Sequence, residues 1–288
     1  MKYLNLRFPG CRQKAVTLSY DDGCRHDIRL AKTLDSYGIK CTFNISSSFI
    51  KENDGEYYLS EKEIRENILE KGHEIAVHGK QHRAPGRQRP IEGIKDVLQC
   101  RLELEKRFGI IVRGMAYPDT GVTYVTGNQT YDDIRRYLVD LDIVYARSLG
   151  GDNSRFLLPS DWLCWMPTAH HINPELMNYI DKFNAIDESG YASKQSPALF
   201  YLWGHSFEFD RSNNWDLLDG ICKKLSGKSD VWYATNMEIY DYVKAFDSLV
   251  FSADGYTVYN PSLRDVWIKA DTADTVCVKS GETVRLDP

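Results

Sequence analysis

Five side chains in this sequence are of types that hold cations and move protons: Asp21, Asp22, His78, His82 and His205. The two aspartates end the run AVTLSYDDG, Ala15 to Gly23, which is apolar, rich in strand formers and closed by a glycine. Such a run reads as a buried strand. Its carboxylates then emerge at the carboxyl end, where barrels and open sheets of the α/β class place their chemistry. Successive strand residues point to opposite sides, so the two carboxylates need not share one task. His78 and His82, in HGKQH, fall at the end of another short apolar run, HEIAVHG. Two imidazoles and one carboxylate form the facial set used for Zn or non-haem Fe, with positions left for water and substrate. His205 follows the run LFYLWG. A histidine opposite a metal is the natural general acid. His26, His73, His170 and His171 have no such setting and read as structural.

The elements that must position these groups alternate along the chain. Strands are expected over 15–21, 40–46, 73–79, 110–117, 143–149, 163–168 and 199–204, with a short one at 231–234. Helices are expected over 27–37, 60–70, 90–108, 131–139, 173–183, 215–225 and 237–246. Ser60 with Glu63 three residues on is a capping box for the second helix. Alternation at this spacing means β-α units and a parallel sheet, and seven or eight units favour a barrel. From Ser248 the pattern changes to alternating strands around Asp-Gly and Ser-Gly turns. The expected organisation is a barrel over 1–247 and a small β appendage over 248–288. The appendage reads as a cover or dimer contact, with a sugar-binding surface on Tyr256, Tyr259 or Trp267 as the alternative.

The 288 residues suffice for a large core, and 42% hydrophobic with 27% charged residues is ordinary globular usage, which excludes disorder. The formal net charge of −5 argues against a nucleic-acid partner, which wants a basic face. No run is long and apolar enough for a membrane-spanning helix. Seven scattered cysteines without a C-x-x-C pair suit a reducing compartment. The N-terminal segment lacks the apolar core of a signal peptide, so the expectation is cytoplasmic.

YDDG (Tyr20 to Gly23), HGKQH (His78 to His82), MAYPDTG (Met115 to Gly121), SDW (Ser160 to Trp162) and WGH (Trp203 to His205) occur in that order. Taken together they resemble the five motifs of the polysaccharide deacetylases, the NodB-homology group of carbohydrate esterases. The resemblance covers about 15–246. It implies a distorted (β/α)7 barrel, here with a small C-terminal β appendage, and metal-dependent removal of N- or O-acetyl groups from sugars. By the same resemblance Asp21 is the general base, Asp22, His78 and His82 are metal ligands, His205 is the general acid, and Asp161 orients it. Zn is the first expectation for the metal, with Co, Ni, Fe or Mn as alternatives.

The sequence departs from that pattern in three places. Gly79 stands where the family has Ser or Thr, which should loosen the loop holding His82. Ala116 stands where an arginine usually braces the base, and Arg113 is the candidate replacement. Asp119 stands where an aromatic usually follows the proline. Tyr117, Pro118, Trp162, Trp165 and Trp203 are the candidates for an apolar wall against the acetyl methyl or a sugar face, with a backbone N–H near Tyr117 for the oxyanion. Two other functions fit the residues. One is a metal-dependent amidohydrolase acting on a small non-sugar amide or cyclic imide. The other is a non-catalytic carbohydrate-binding protein, which the intact set of five argues against. The expected partners are an acetylated sugar or small amide and, for the chain itself, a homo-oligomer.

Overall fold

The computed structural model describes residues 4–53, 55–127, 129–149, 153–187, 196–270 and 275–286. In chain order it gives β1 (Leu4–Arg7), β2 (Lys14–Asp21), α1 (His26–Ser36), β3 (Thr42–Ile45), α2 (Glu61–Asn67) and β4 (Glu74–Val77). There follow α3 (Pro90–Phe108), β5 (Gly114–Ala116), α4 (Tyr131–Asp140), β6 (Tyr145–Arg147), β7 (Ala169–His170), α5 (Leu176–Asn184) and β8 (Ala198–Gly204). Then come α6 (Ser206–Arg211), α7 (Trp215–Leu225), β9 (Val231–Tyr233) and α8 (Asn236–Asp247). Five tail strands complete the chain: β10 (Val250–Phe251), β11 (Thr257–Tyr259), β12 (Val266–Ala270), β13 (Thr275–Val278) and β14 (Thr283–Arg285).

All eight residues of β2 are buried, because the strand lies at the centre of the sheet. The order is β6-β5-β4-β3-β2-β8-β7, with β9 paired to the first three residues of β2. Every pairing in this sheet is parallel. The alternation on β2 sorts its side chains. Val16, Leu18 and Tyr20 join the cluster under the helices. Ala15, on the opposite face, joins a second cluster with Tyr145, Trp165, Leu199 and Tyr201. Thr17, on that face too, donates to Asn236 at 2.8 Å. Asp21 falls in the same alternating row and so points inward at the carboxyl end.

The expected strand over 163–168 does not form. Trp162–Cys164 is one turn of 3-10 helix, and extended pairing is confined to a bridge between Trp165 and Arg147 and to the two residues of β7. Pro167 lies between them and has no N–H to give a ladder. The bridge still closes the ring: Trp165 N–H bonds Ala146 C=O at 2.9 Å on one side, and Thr168 N–H bonds Tyr201 C=O at 2.7 Å on the other. The result is an α/β fold with a curled seven-stranded parallel sheet, a distorted (β/α)7 barrel.

The tail forms two three-stranded antiparallel sheets, β1-β12-β13 and β10-β11-β14. The N-terminal strand therefore belongs to the tail's sheet, with Leu4 opposite Ala270 and Arg7 opposite Trp267. Trp267 packs on the cluster that contains Phe8 and Tyr242, whereas Tyr259 is exposed. All seven cysteines are unpaired. Among the described residues no helix is long and apolar enough to cross a membrane.

Candidate metal and catalytic site

The turn after β2 and the loop after β4 bring Asp22, His78 and His82 together at the barrel mouth. Asp22 Oδ1 lies 3.5 Å from His78 Nε2 and 3.1 Å from His82 Nε2. Ligands about 2.0–2.1 Å from a tetrahedral Zn sit roughly 3.3 Å apart, so these separations suit one shared ion. His78 Nδ1 is 2.9 Å from the Ala116 carbonyl and donates to it, which leaves a lone pair on Nε2 toward Asp22. Among the described residues neither Asp22 Oδ1 nor His78 Nε2, both buried, makes a hydrogen bond. Two orphaned acceptors aimed at one point are what a cation would satisfy, so the residues present fit a divalent ion. Burial alone would raise the Asp22 carboxyl, but the two imidazoles outweigh it and hold it far below the usual carboxylate range.

Asp22 and His82 both sit in backbone turns in the left-handed region, with φ of 83° at Asp22 and 52° at His82. Non-glycine residues there are strained, and such strain gathers at functional sites. The expected loosening at Gly79 is overturned. Its φ is 69°, and a Cβ placed on it would come within 2.4 Å of Asp96 Oδ2. Asp96, on α3, uses that space: Oδ1 accepts the Gln81 N–H at 2.8 Å, and its carbonyl accepts the Lys80 N–H at 3.2 Å. The glycine admits a carboxylate that ties down the loop. Gly79→Ser should therefore destabilise the chain by about 1–3 kcal/mol and weaken cation binding, read by denaturant titration and Zn titration. Unchanged stability in that variant would contradict the Asp96 tie.

Asp21 is 2% exposed and fully engaged. Oδ1 accepts from Asn44 at 2.8 Å and Oδ2 from Arg147 Nη2 at 2.5 Å. Burial would raise its pKa, but Arg147 first, then His78 and His205, bring it below the ordinary value, so it stays ionised. Arg147 is the residue that sequence reasoning missed. It stands beside Ala116 in the β5–β6 ladder, so the guanidinium reaches Asp21 from the next strand over. Its flat face lies 4.2 Å from the Trp203 ring centroid. Arg113 does not replace the absent arginine: it is partly exposed and pairs with Asp142 at 2.7 Å.

His205 follows β8 and turns Nε2 toward Asp21 Oδ2 at 3.9 Å. The other ring nitrogen, Nδ1, is 3.5 Å from Glu208 Oε1, one turn along α6. Burial lowers the His205 pKa, but Glu208 and then Asp21 raise it more, so the ring holds its proton above the usual imidazole range. Asp161 does not orient His205. It is bound by Tyr131 at 2.7 Å and lies 3.6 Å from Arg135, while its other oxygen caps Leu163 N–H. Glu208 holds the place expected of Asp161, and the signal was available in sequence as the i, i+3 pair in HSFE. His170 and His171 also reach Glu208, at 3.3 and 3.2 Å. The ligand atoms of His170, His205 and Glu208 lie close enough for an ion. His170 Nδ1, however, accepts the Ile172 N–H at 3.3 Å, which puts the ring proton on Nε2, facing Glu208. That group is a hydrogen-bonded cluster. Burial drives His171 down to about 3, so its ring is neutral there.

The expected apolar wall is mostly absent. Trp165 is buried inside the barrel between Tyr145 and Tyr201. Trp162 packs edge-on against Tyr240 of α8. Tyr117 is buried, its hydroxyl donating to Leu163 C=O at 2.7 Å and its N–H to Arg147 C=O at 3.0 Å, so that N–H is not free for an oxyanion. Pro118 is buried near Gly79. Trp203 alone stays at the mouth, edge-on to His170 and 6.0 Å from the His205 ring.

Residues 10–135 match the polysaccharide deacetylase family model. No curated protein matches the chain in sequence. Among solved structures, a Mycobacterium smegmatis protein described as a polysaccharide deacetylase is similar with a TM-score of 0.58 and 16% identity, over 84% of this chain and 94% of that one. PuuE allantoinase is similar at 0.56 and 13%, over 81% and 91%. A mutant of a Bacillus anthracis CE4-family pseudoenzyme with restored activity is similar at 0.50 and 14%, over 82% and 70%. At these identities the likeness speaks for the shared barrel. The match to that family is thus confined to residues 10–135, and the barrel is what the chain shares with these solved structures.

Proposed function

We propose that the protein is a metal-dependent hydrolase that removes N- or O-linked acetyl groups from a carbohydrate. One observation carries this reading: Asp22, His78 and His82 converge on a common point while Asp21 and His205 face each other beside it. A divalent ion held by those three ligands, with Zn favoured over Co, Ni, Fe or Mn, supplies Lewis-acid polarisation and a more acidic water. Asp21, kept ionised by Arg147, accepts the proton of the attacking water. His205, kept protonated by Glu208, delivers a proton to the departing nitrogen or oxygen. Each proton transfer of this kind is typically worth about 10²- to 10⁴-fold.

The pH dependence follows from the sign of the His205 shift. A raised imidazole keeps its proton through neutrality and loses it as pH rises, so the rate should fall on the alkaline side. Glu208→Gln removes the main raising influence, and the alkaline limb of kcat should move to lower pH. A limb that stays in place would detach Glu208 from the acid.

A second reading is favoured by the likeness to an allantoinase, and it takes the substrate to be a small non-sugar amide or cyclic imide. Acetate release from N- and O-acetylated sugars, set beside ring opening of a cyclic ureide, separates the two. Release of acetate that requires added Zn supports the first. Ring opening without acetate release replaces it with the second.

A further inference from the structure

We propose that Tyr57, on the loop between β3 and α2, is a stacking residue for a pyranose ring bound at the barrel mouth. This deepens the hydrolase reading and takes the ligand's identity from it. Tyr57 is 47% exposed, whereas its neighbours Tyr58 and Phe49 are half-buried. Tyr58 is already engaged: Phe49 stacks on it at 4.5 Å, and the Lys51 ammonium lies 5.5 Å from its centroid. Tyr57 meets Tyr58 edge-on at 4.7 Å and 84°, an arrangement that supports its ring at one edge. Phe49 in turn lies 6.1 Å from the His82 ring, which joins this wall to the proposed ligands.

The loop is tied to the turn that carries Asp22. Arg25 N–H bonds Tyr57 C=O at 2.8 Å and Leu59 N–H bonds Gly23 C=O at 3.0 Å, which together make the antiparallel bridge between Cys24 and Tyr58. These two backbone bonds hold the loop in place beside that turn, so ordering it on binding loses little entropy. The Tyr57 phenol is pushed up by partial burial first, then by Cys24, Tyr58 and Asp22, while Arg211 pulls it down. On the α6 side, Phe207 is half-buried at 5.2 Å from the His205 ring, with Arg211 at 5.5 Å above it. Trp203 and Phe207 lie beside His205, and Tyr57 ends the chain of rings that runs through Tyr58 and Phe49 to His82. A β-gluco-configured pyranose presents apolar C–H faces that suit such walls, and an aromatic ring with a polar tip suits its hydroxyl rim.

The test compares wild type, Tyr57→Ala and Tyr57→Phe on a β-1,4-linked N-acetylglucosamine tetramer and on 4-nitrophenyl acetate, each with Zn content measured. In Tyr57→Ala the ratio of kcat/KM on the tetramer to that on the small ester should fall roughly tenfold, through KM, with Phe retaining most of it. Calorimetric binding of the tetramer should weaken by the same factor. A ratio and a binding constant that both stay at the wild-type value overturn the stacking role. A wild type that binds the tetramer and loses binding in Tyr57→Ala, yet hydrolyses neither substrate, upholds the wall and overturns the hydrolase.

Discussion

Arg147→Met should lower stability by about 3–5 kcal/mol and cut turnover by roughly 10²- to 10³-fold, the largest combined effect of any substitution outside the proposed metal ligands. Both partners of the Arg147–Asp21 pair are buried, at 0% and 2% side-chain exposure. Methionine keeps much of the volume but leaves a carboxylate in a dry interior with only Asn44 and distant imidazoles. The destabilisation is read from denaturant midpoints at neutral pH. Its cause is separable from packing by a double-mutant cycle. Adding Asp21→Asn to Arg147→Met neutralises the orphaned charge, so most of the lost stability should return while activity stays lost. If the double variant is as unstable as the single one, the pair is not the source.

His78→Ala should abolish tight Zn binding and reduce turnover by roughly 10³-fold or more, since a bound ion contributes several kcal/mol at about 1.36 kcal/mol per tenfold. His78 is the better probe of the three proposed ligands because its other nitrogen is fixed by Ala116 and its ring is 1% exposed. Its loss removes a preset donor, whereas His82 is partly exposed and sits on a strained turn. Metal analysis after dialysis against Zn checks the first half and acetate release the second. A His78→Ala protein that still holds one equivalent of Zn tightly would remove the proposed ligand set.

Asp21, Asp22, His78, His82 and His205 were legible because each ends or follows a short apolar run, and strand ends are local features of a sequence. The supporting residues were not, because support is a matter of register. Nothing local in IVYARS says that Arg147 will lie beside Ala116; only the β5–β6 pairing does. Arg113 and Asp161 were nearer in sequence to the expected motif positions, and both found partners elsewhere, in Asp142 and in Tyr131. Gly79 misled for a similar reason. A missing side chain reads as freedom, yet the gap is filled by Asp96 from the following helix. The tryptophans show the limit of composition: Trp165 and Trp203 are equally apolar, and only the curl of the sheet puts one inside and one at the rim.

The ladder between β1 and β12 has a consequence for how the chain is made. Its rungs join Leu4 to Ala270 and Arg7 to Trp267, positions 260 or more apart (267 − 7 = 260). The ribosome must add some 260 residues between LNLR and its mate, so over that stretch of synthesis the ribbon has bare amides and no β12 beside it. Unpaired ribbons of this sort invite pairing with other nascent chains. Crowding on a polysome is thus the circumstance in which this protein is most exposed to misassembly, well before any substrate is met.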